Sequence, residues 1–249
     1  MPEAAARRER IWIIGASDGI GAALARAWAG PEVGLILSAR SEARLTALAG
    51  GLGPGHTILP LDVSDRAQLN AAADRIAADG PVDRIVHLAA LYDPGLVAEL
   101  DPDMAARIVA VNLTGSFHVA QLAPRLLRPG GQLALCGSVA GYVGLPRGQI
   151  YSASKAGVIN LAESLRSEWA GRIDVRLISP GFVDTRLTRK NDFAMPALTT
   201  PARAAQAIIA GLDGRRFEVH FPRRFTRTLK LLRALPYWVS LPLLKRLAA

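Results

Sequence analysis

Short apolar runs rich in β-branched residues alternate with longer segments of helical periodicity along most of this chain. Such alternation is typical of a parallel sheet that is covered by helices on both faces. The apolar runs predict seven strands, namely Arg10–Gly15, Val33–Ala39, His56–Leu61, Arg84–Ala89, Gln132–Gly137, Val175–Ser179 and Phe217–Phe221. The segments between them predict six helices, namely Ile20–Ala29, Glu42–Ala49, Arg66–Ala78, Ala105–Leu127, Ile150–Ala170 and Ala202–Leu212. The sequence therefore predicts a single α/β domain over residues 9–222, with one doubly wound, parallel, seven-stranded sheet.

The last part of the chain, residues 223–249, breaks this alternation and carries most of the excess charge. It holds seven basic residues and no acidic one, whereas the whole chain has a net charge of +9. The body is therefore nearly balanced, which argues against a nucleic-acid-binding domain with a basic face across the fold. Cations interleaved with leucines, together with Tyr237 and Trp238, are typical of amphipathic helices in a membrane interface. Helices that pack on a neighbouring subunit or shield an active site are an equal alternative.

The single cysteine, Cys136, excludes an intramolecular disulfide and favours a reducing compartment. It stands within an apolar run, so we expect a buried structural thiol. The segment Met1–Arg10 lacks the apolar stretch of a signal peptide, and no apolar run is long enough to cross a membrane. We therefore expect a cytoplasmic protein, whose tail could still contact the cytoplasmic face of a membrane. No metal site is predicted.

A glycine-rich loop follows the first predicted strand and precedes the first predicted helix. Gly15, Gly19 and Gly21 have the spacing G-x-x-x-G-x-G, which differs from the more common G-x-G-x-x-G. Glycines in this place let the backbone approach a dinucleotide pyrophosphate at the N-terminus of the helix. Glycines that only form a tight turn, without any ligand, are the alternative.

The end of the second predicted strand should contact the cofactor ribose, and it carries no acidic residue. Ala39 takes the place of the usual acid, and Arg40 follows it. An acid would repel a 2′-phosphate, whereas an arginine can bind it through two hydrogen bonds. The sequence therefore predicts NADP(H) rather than NAD(H), unless Arg40 is only a solvated charge. Asp62, after the third strand, would either bind the adenine amino group or cap the next helix.

Tyr151 and Lys155 are four residues apart, so on a helix they share one face. A free phenol has a pKa of about 10 and is a poor base at neutral pH. A cationic lysine one turn away would favour the phenolate and lower the pKa of the tyrosine. Ser138 closes the fifth strand and should face the same crevice, because ligands bind beyond the carboxyl ends of parallel strands. Its hydroxyl can hold a substrate oxygen, although a serine in an ordinary loop turn is the alternative.

Asn112 interrupts an apolar stretch in the middle of the fourth predicted helix. A buried amide needs hydrogen-bond partners, so Asn112 is either a satisfied core residue or part of a polar relay. The position alone favours the core residue.

The glycine loop, Asn112, Ser138, Tyr151 and Lys155 occur in the order and spacing of the short-chain dehydrogenase/reductase family, which this chain resembles over about residues 9–222. The segment 180–185 is similar to the family segment beside the nicotinamide. The resemblance implies a Rossmann-type single domain with strand order 3-2-1-4-5-6-7. It also implies a nicotinamide-dependent oxidoreductase that forms a homo-dimer or homo-tetramer.

The resemblance implies a role for each of these residues. Tyr151 would be the general acid/base, and Lys155 would orient the nicotinamide ribose and lower the pKa of the tyrosine. Ser138 would polarise the substrate carbonyl, and Asn112 would hold a water of the proton relay. The residues expected to contact the cofactor are Gly15, Ser17, Gly19, Ile20, Gly21, Arg40, Asp62, Val63, Ala89, Tyr151, Lys155, Pro180, Gly181, Val183 and Thr185.

Three places depart from the family pattern. Ile14 replaces the threonine that usually opens the glycine loop, and Asp18 replaces a serine within it. After the fourth strand, the run 87–90 reads His-Leu-Ala-Ala, where the family usually has Asn-Asn-Ala-Gly. We expect these changes to alter how the loop around the first strand is braced, and to leave the catalytic residues untouched.

Residues 185–201 form a long insertion after the sixth strand, and the resemblance implies that it closes over the substrate end of the cleft. Its apolar residues predict an apolar lid and a lipophilic substrate; they are Leu187, Phe193, Met195, Pro196 and Leu198. The sequence thus predicts an NADP(H)-dependent oxidoreductase that interconverts a ketone or aldehyde and an alcohol. A catalytically silent NADP(H)-binding sensor or scaffold is the alternative, and an isomerase or dehydratase on the same fold is a third reading.

Overall fold

A computed structural model gives the fold of residues 8–247, with the helical backbone alone for residues 246 and 247. Most of the segment Met1–Arg10 and the last two residues of the tail lie outside the described residues. The predictions made for them, including the absence of a signal peptide, therefore stay predictions.

One seven-stranded parallel sheet forms the centre of the described protein, in the order β3-β2-β1-β4-β5-β6-β7. The strands are β1 Glu9–Ile14, β2 Val33–Ser38, β3 Thr57–Ile58, β4 Val82–His87, β5 Leu127–Cys136, β6 Asp174–Pro180 and β7 Glu218–Phe221. The chain reverses its direction of travel across the sheet between β1 and β4, which creates a crevice at their carboxyl ends. This arrangement confirms the predicted Rossmann-type, doubly wound, single-domain α/β fold.

Helices cover both faces of the sheet. They are α1 Gly19–Trp28, α2 Glu42–Gly50, α3 Arg66–Ala78, α4 Pro102–Val109, α5 Gly115–Leu126, α6 Gln149–Glu168 and α7 Pro201–Leu212. One core cluster lies under α3, α5 and α6, and the other lies under α1, α2 and α7. Along β1, Trp12 and Ile14 face the first cluster, whereas Ile11 and Ile13 face the second. Because both faces are covered, the strand is an unbroken apolar run.

The third strand is shorter than the predicted His56–Leu61. Beyond Ile58 the chain still follows β2, with hydrogen bonds from the Leu59 nitrogen to the Leu37 carbonyl (2.9 Å) and from Leu61 to Ala39 (3.1 Å). Pro60 lies between them, where an N–H would point to the open edge of the sheet, so the proline removes no hydrogen bond to β2.

The predicted helix Ala105–Leu127 is divided into three parts. α4 begins at Pro102 behind the N-cap Asp101, and a π-helical turn, Ala110–Thr114, separates it from α5. Such turns widen a helix locally and are frequent at functional sites. Asn112 lies in this turn.

The tail forms two helices, α8 Arg223–Ala234 and α9 Tyr237–Leu247. Both pack on the first core cluster, through Leu229, Leu232 and Leu244. No helix among the described residues is long and apolar enough to cross a membrane.

Candidate functional site

A cleft of about 850 Å³ opens at the carboxyl ends of β1, β2 and β4–β6. This is the place at which doubly wound sheets bind their ligands. Every predicted site residue except Asn112 lines the cleft. The structure therefore brings together the glycine loop, the ends of five strands and the start of α6.

The glycine loop is packed so closely that side chains cannot be added to it. Gly15 has a φ of +91°, and a Cβ there would lie 2.6 Å from the Ala89 nitrogen. A Cβ on Gly21 would lie 2.1 Å from the Gly15 carbonyl oxygen. The loop thus presents bare backbone at the first turn of α1, which fits a pyrophosphate group. Its assignment as the dinucleotide-binding loop stays a prediction.

Asp18 braces the glycine loop, in the position where the family usually has serine. Its carboxylate accepts a hydrogen bond from the Gly19 nitrogen at 2.7 Å and caps α1. It also pairs with Arg186 at 3.2 Å and with Arg44 at 3.6 Å. Both arginines line the cleft, and the sequence analysis did not select either of them. The only available signal was their spacing from Arg40 and Thr185, which is too weak to use alone.

Two cations lie at the ribose end of the cleft. Arg40 is exposed, lines the cleft after β2 and forms no ion pair within residues 8–245. Arg44 stands one turn further along, at the start of α2. The preceding Ser38 is occupied in the core, since its hydroxyl accepts a hydrogen bond from the Trp12 indole at 2.9 Å. The end of β2 therefore offers positive charge and no carboxylate to the cleft.

Asp62 does not cap α3, contrary to one of the two readings of the sequence. Asp65 is the N-cap and accepts hydrogen bonds from Ala67 and Gln68 at 2.9 and 3.1 Å. Asp62 instead accepts from the backbone and hydroxyl of Ser64, at 2.9 and 2.6 Å, through one carboxylate oxygen. It lines the cleft, which keeps the adenine contact as a prediction.

Ser138 and Tyr151 meet on the floor of the cleft. Ser138 ends the segment after β5, where its hydroxyl accepts a hydrogen bond from the Ala140 nitrogen at 3.1 Å. Tyr151 stands in the first turn of α6 and lines the same cleft, near enough to Ser138 for that hydroxyl to lower the pKa of the phenol. Both side chains are therefore available to one ligand in the cleft.

Burial raises the pKa of Tyr151 above its usual value of about 10, although the Ser138 hydrogen bond lowers it. Lys155 does not compensate for this burial, in contrast to the effect expected from the sequence. Its ammonium donates to the Cys136 carbonyl at 2.7 Å and lies 5.8 Å from the Tyr151 ring centroid. Burial has the opposite effect on Lys155 and lowers its pKa. The tyrosine is therefore held as a neutral phenol, which is the form that donates a proton.

Cys136 is only partly buried and lines the cleft, whereas the sequence predicted a fully buried thiol. Burial still raises its pKa, against the opposing effect of the Lys155 charge. The thiol therefore stays protonated and is a poor nucleophile, in agreement with its expected inert character.

Asn112 lies behind the cleft and is fully buried. Its side-chain oxygen accepts from the Leu91 nitrogen at 2.7 Å, and its amide donates to the Leu91 carbonyl (2.9 Å) and to the Ser154 hydroxyl (3.0 Å). These bonds tie the segment after β4 to α6. The geometry is that of a satisfied core amide, and its role in a water relay stays a prediction.

His87 takes the position of the usual family asparagine and is buried at the end of β4. Both of its ring nitrogens lack a hydrogen-bond partner among the described residues. Burial, reinforced by the Lys155 charge, lowers the pKa of His87 to about 3. The imidazole is therefore neutral at physiological pH.

The predicted lid is fastened by polar contacts. The Tyr92 hydroxyl donates to Asn191 at 2.7 Å, and Lys190 bonds the Tyr92 carbonyl (2.9 Å) and Asp93 (3.1 Å). Of the five apolar residues proposed to form the lid, Leu187 alone lines the cleft. Phe193 and Leu198 are exposed to solvent, and the segment returns at Thr199, which forms an isolated bridge with Val183 beyond the end of β6. The prediction that these five residues form an apolar lid is therefore wrong for all of them except Leu187.

The substrate end of the cleft has an apolar wall from other elements. Tyr92 packs edge-on against Tyr151, with ring centroids 4.8 Å apart. Other apolar residues that line the cleft are Leu88, Leu91, Val111 and Leu187. The sequence analysis missed Tyr92, because nothing in its local pattern separates it from an ordinary loop aromatic.

This fold and cleft define a Rossmann-type, nucleotide-binding α/β protein. The short chain dehydrogenase family matches the chain over residues 9–195. The chain is 36% identical to the D-threitol dehydrogenase of Mycolicibacterium smegmatis over 185 residues, which are 72% of this chain and 71% of that protein. It is 33% identical to the 3-oxoacyl-(acyl-carrier-protein) reductase of Escherichia coli over 181 residues, which are 71% and 74% of the two chains. The protein therefore belongs to the short-chain dehydrogenase family, as the sequence analysis predicted.

Two solved structures resemble this fold closely. A short-chain dehydrogenase from Sphingobium yanoikuyae, in complex with NADPH, has a TM-score of 0.78 and 27% identity, over 86% of this chain and 88% of that one. A short-chain dehydrogenase/reductase from Burkholderia phymatum, in complex with NAD, has a TM-score of 0.82 over 93% and 95% of the two chains. The second shares 22% of its residues with this chain and bears on the fold alone.

Proposed function

We propose that the protein is an NADP(H)-dependent oxidoreductase that interconverts a lipophilic ketone or aldehyde and the corresponding alcohol. One observation carries this proposal: the hydroxyl groups of Ser138 and Tyr151 meet in the cleft, with Lys155 one turn behind the tyrosine. A sensor or scaffold would have no need of this arrangement. The sensor or scaffold would be favoured if the purified protein bound NADPH and reduced no carbonyl compound.

A bound nicotinamide nucleotide supplies the hydride for this reaction. Ser138 holds the carbonyl oxygen by donating a hydrogen bond, and Tyr151 gives its phenolic proton to that oxygen during reduction. In the opposite direction Tyr151 takes the proton back. Lys155, whose ammonium has further N–H groups beyond the one given to Cys136, orients the nicotinamide ribose. Gly15, Ser17, Gly19, Ile20 and Gly21 hold the pyrophosphate.

The preference for NADP(H) rests on the charges after β2. Arg40 is unpaired within the described residues and Arg44 lies beside it, so a 2′-phosphate would gain at least one charge-assisted hydrogen bond. Such a bond contributes about 1.5 to 3 kcal/mol, so Arg40→Ala should raise the KM for NADPH by roughly 10-fold to 100-fold. The KM for NADH should change little. Arg26→Ala, an exposed arginine of α1 outside the cleft, is the matched control.

The proposal of a lipophilic substrate is based on the apolar residues around Tyr92 and Leu187. Reduction of a series of 3-keto esters with increasing acyl length tests this directly. Each added CH₂ that enters the wall should raise kcat/KM about fourfold, since its burial is worth about 0.8 kcal/mol. A preference for short polyols, such as the substrate in the name of the mycobacterial relative, would contradict this part of the proposal.

Homo-dimer or homo-tetramer assembly and a cytoplasmic location stay predictions. Size-exclusion chromatography with light scattering measures the first directly. Contact between the tail and a membrane is a separate matter, because it depends on exposed residues that do not line the cleft.

A further inference from the structure

Helices α8 and α9 have one side in the core and the other in solvent. Leu229, Leu232 and Leu244 are at most 7% exposed. On the outer side, Tyr237 and Trp238 are 80% and 79% exposed. Large aromatic side chains are seldom left so open on a soluble surface, where apolar patches usually mark an interaction site. We therefore expect the outer side to bind a partner.

We name this outer side the C-terminal face. Its exposed residues are Arg223, Arg224, Arg227, Leu231, Arg233, Tyr237, Trp238, Leu241 and Lys245. Apart from Arg233, which lies at the end of α8 and nearer its buried side, these residues fall on one side of each helix, where cations and apolar groups are mixed.

The cations of the C-terminal face are free to bind an external anion. No acidic residue occurs after Glu218. Lys230, on the inner side of α8, pairs with Glu218. Within residues 8–245, none of the arginines of the C-terminal face forms an ion pair.

A second copy of the chain does not suit this face. A two-fold interface would set the same cations against each other, and nothing on the face itself would neutralise them. An anionic bilayer supplies both missing partners, namely phosphate groups for the arginines and an apolar layer for the aromatic rings. Tryptophan and tyrosine are the residues that prefer the depth of the lipid headgroups.

We propose that the C-terminal face docks on the surface of an anionic lipid bilayer. Trp238, Tyr237 and Leu241 enter the boundary between headgroups and acyl chains, and the arginines lie over the lipid phosphates. The helices lie along the surface and do not cross it.

The docked helix is connected to the lid of the cleft by aromatic contacts. Phe225 of α8 lies 5.8 Å from Phe182, and Phe182 lies 5.8 Å from Phe193, measured between ring centroids. Docking would thus bring the lid near the bilayer, where lipophilic substrates are dissolved. This last consequence rests on the proposed function, whereas docking itself does not.

Trp238 gives a direct measurement. The chain has four tryptophans, and the other three, Trp12, Trp28 and Trp169, are at most 9% exposed. Vesicles of equal parts phosphatidylglycerol and phosphatidylcholine should shift the emission of the full-length protein to shorter wavelength and protect it from acrylamide quenching. Pure phosphatidylcholine vesicles should not, and Trp238→Phe should abolish the change. An unchanged spectrum with anionic vesicles overturns the proposal.

Vesicle flotation separates specific docking from general charge attraction. Arg224→Glu together with Arg227→Glu should weaken binding at least about tenfold, because each basic residue near an anionic surface contributes about a fivefold step. The matched control reverses two exposed arginines elsewhere, Arg203 and Arg215, and should bind like the wild type. Equal losses in both pairs contradict the proposal.

A double variant, Trp238→Ser with Leu241→Ser, tests the apolar part of the face. The control is Phe117→Ser, which removes an exposed aromatic side chain of α5. Only the first variant should lose flotation. Reduction of a water-soluble ketone without vesicles should be unchanged in both serine variants, so failure of the proposed function and failure of docking are distinguishable. If acrylamide quenching of Trp238 decreases as the protein concentration is raised in the absence of vesicles, a second copy covers the face. Lipid docking would then be wrong.

Discussion

At the residue scale, Tyr151 is the proton donor of the proposed reaction, and its removal should stop that chemistry without removing the proposed cofactor site. Tyr151→Phe keeps the ring and its edge contact with Tyr92 but lacks the phenolic hydroxyl. General acid catalysis contributes about 10²-fold to 10⁴-fold, so kcat for reduction should fall by that factor. The Kd for NADPH, measured by cofactor fluorescence, should stay within about twofold, since phenol loss removes only a small part of the cofactor contacts. Wild-type kcat in this variant would make the mechanism wrong.

His87 should make the fold sensitive to acid. Its pKa is about 3 in the folded protein, because burial, followed by the Lys155 charge, opposes protonation, whereas an unfolded histidine titrates near its usual value of about 6.5. Below about pH 6.5 the unfolded state binds the extra proton and the folded state does not. The free energy of unfolding should therefore fall by up to about 1.4 kcal/mol per pH unit from this residue, until pH reaches about 3.

His87→Leu removes this titration and also removes two ring nitrogens that have no partner among the described residues. Urea unfolding from pH 7 down to pH 4 should show a shallower loss of stability in the variant than in the wild type. Parallel curves would mean that His87 does not titrate as its burial requires.

Individual residues also show where sequence reasoning reached its limit. The spacing of Tyr151 and Lys155 correctly placed both on one face of α6, since helical periodicity is local. The pKa of Tyr151 was not accessible in this way, because it depends on burial and on Cys136, Ser138 and Tyr92, which come from other parts of the chain. Asn112 was left between two roles for the same reason, as its partners Leu91 and Ser154 come from other elements.

At the element scale, α8 is held to the sheet by a carboxylate. Glu218 of β7 accepts hydrogen bonds from Lys230 of α8 and from Tyr142. Burial alone would raise the pKa of Glu218, but these hydrogen bonds, led by that of Lys230, outweigh it and lower the pKa. The pair therefore stabilises the folded state above the usual carboxyl pKa of about 4.3, and this contribution is lost as pH falls through the lowered value.

Glu218→Gln keeps the shape and loses the charge. We expect the free energy of unfolding at pH 7 to fall by about 1.5 to 3 kcal/mol, the usual worth of hydrogen bonds to a charged group. The difference from the wild type should shrink below about pH 4. Asp74→Asn, which breaks an exposed pair with Arg125, is the control and should cost less than about 1 kcal/mol. Equal losses in the two variants would contradict a special role for Glu218.

The elements themselves were largely predictable. Apolar runs gave all seven strands, because a parallel sheet that is covered on both faces imprints continuous hydrophobicity on each strand. The misplaced boundaries have physical causes that are visible only in three dimensions. Only two residues of β3 have regular strand geometry, although Leu59 and Leu61 still bond β2, and the π-helical turn at Ala110–Thr114 interrupts a helix whose apolar periodicity continues through it. The lid was misjudged because composition gives no information on which side of the segment turns inward.

At the scale of the whole molecule, the tail is part of the fold that the body needs. Leu229, Leu232 and Leu244 belong to the same buried cluster as the helices of the central sheet. Full burial of a leucine contributes about 1.5 to 3 kcal/mol, so deleting α8 and α9 should remove more than about 4 kcal/mol. Typical domains are stable by only about 5 to 15 kcal/mol. Truncation after Pro222 should therefore lower the Tm strongly or give insoluble protein, as circular dichroism and expression trials would show. The full-length variant with Trp238→Ser and Leu241→Ser alters only the outer side of these helices and should keep the wild-type Tm within a few degrees. A truncated protein with an unchanged Tm would mean that residues 223–249 are an appendage and that 9–222 fold alone.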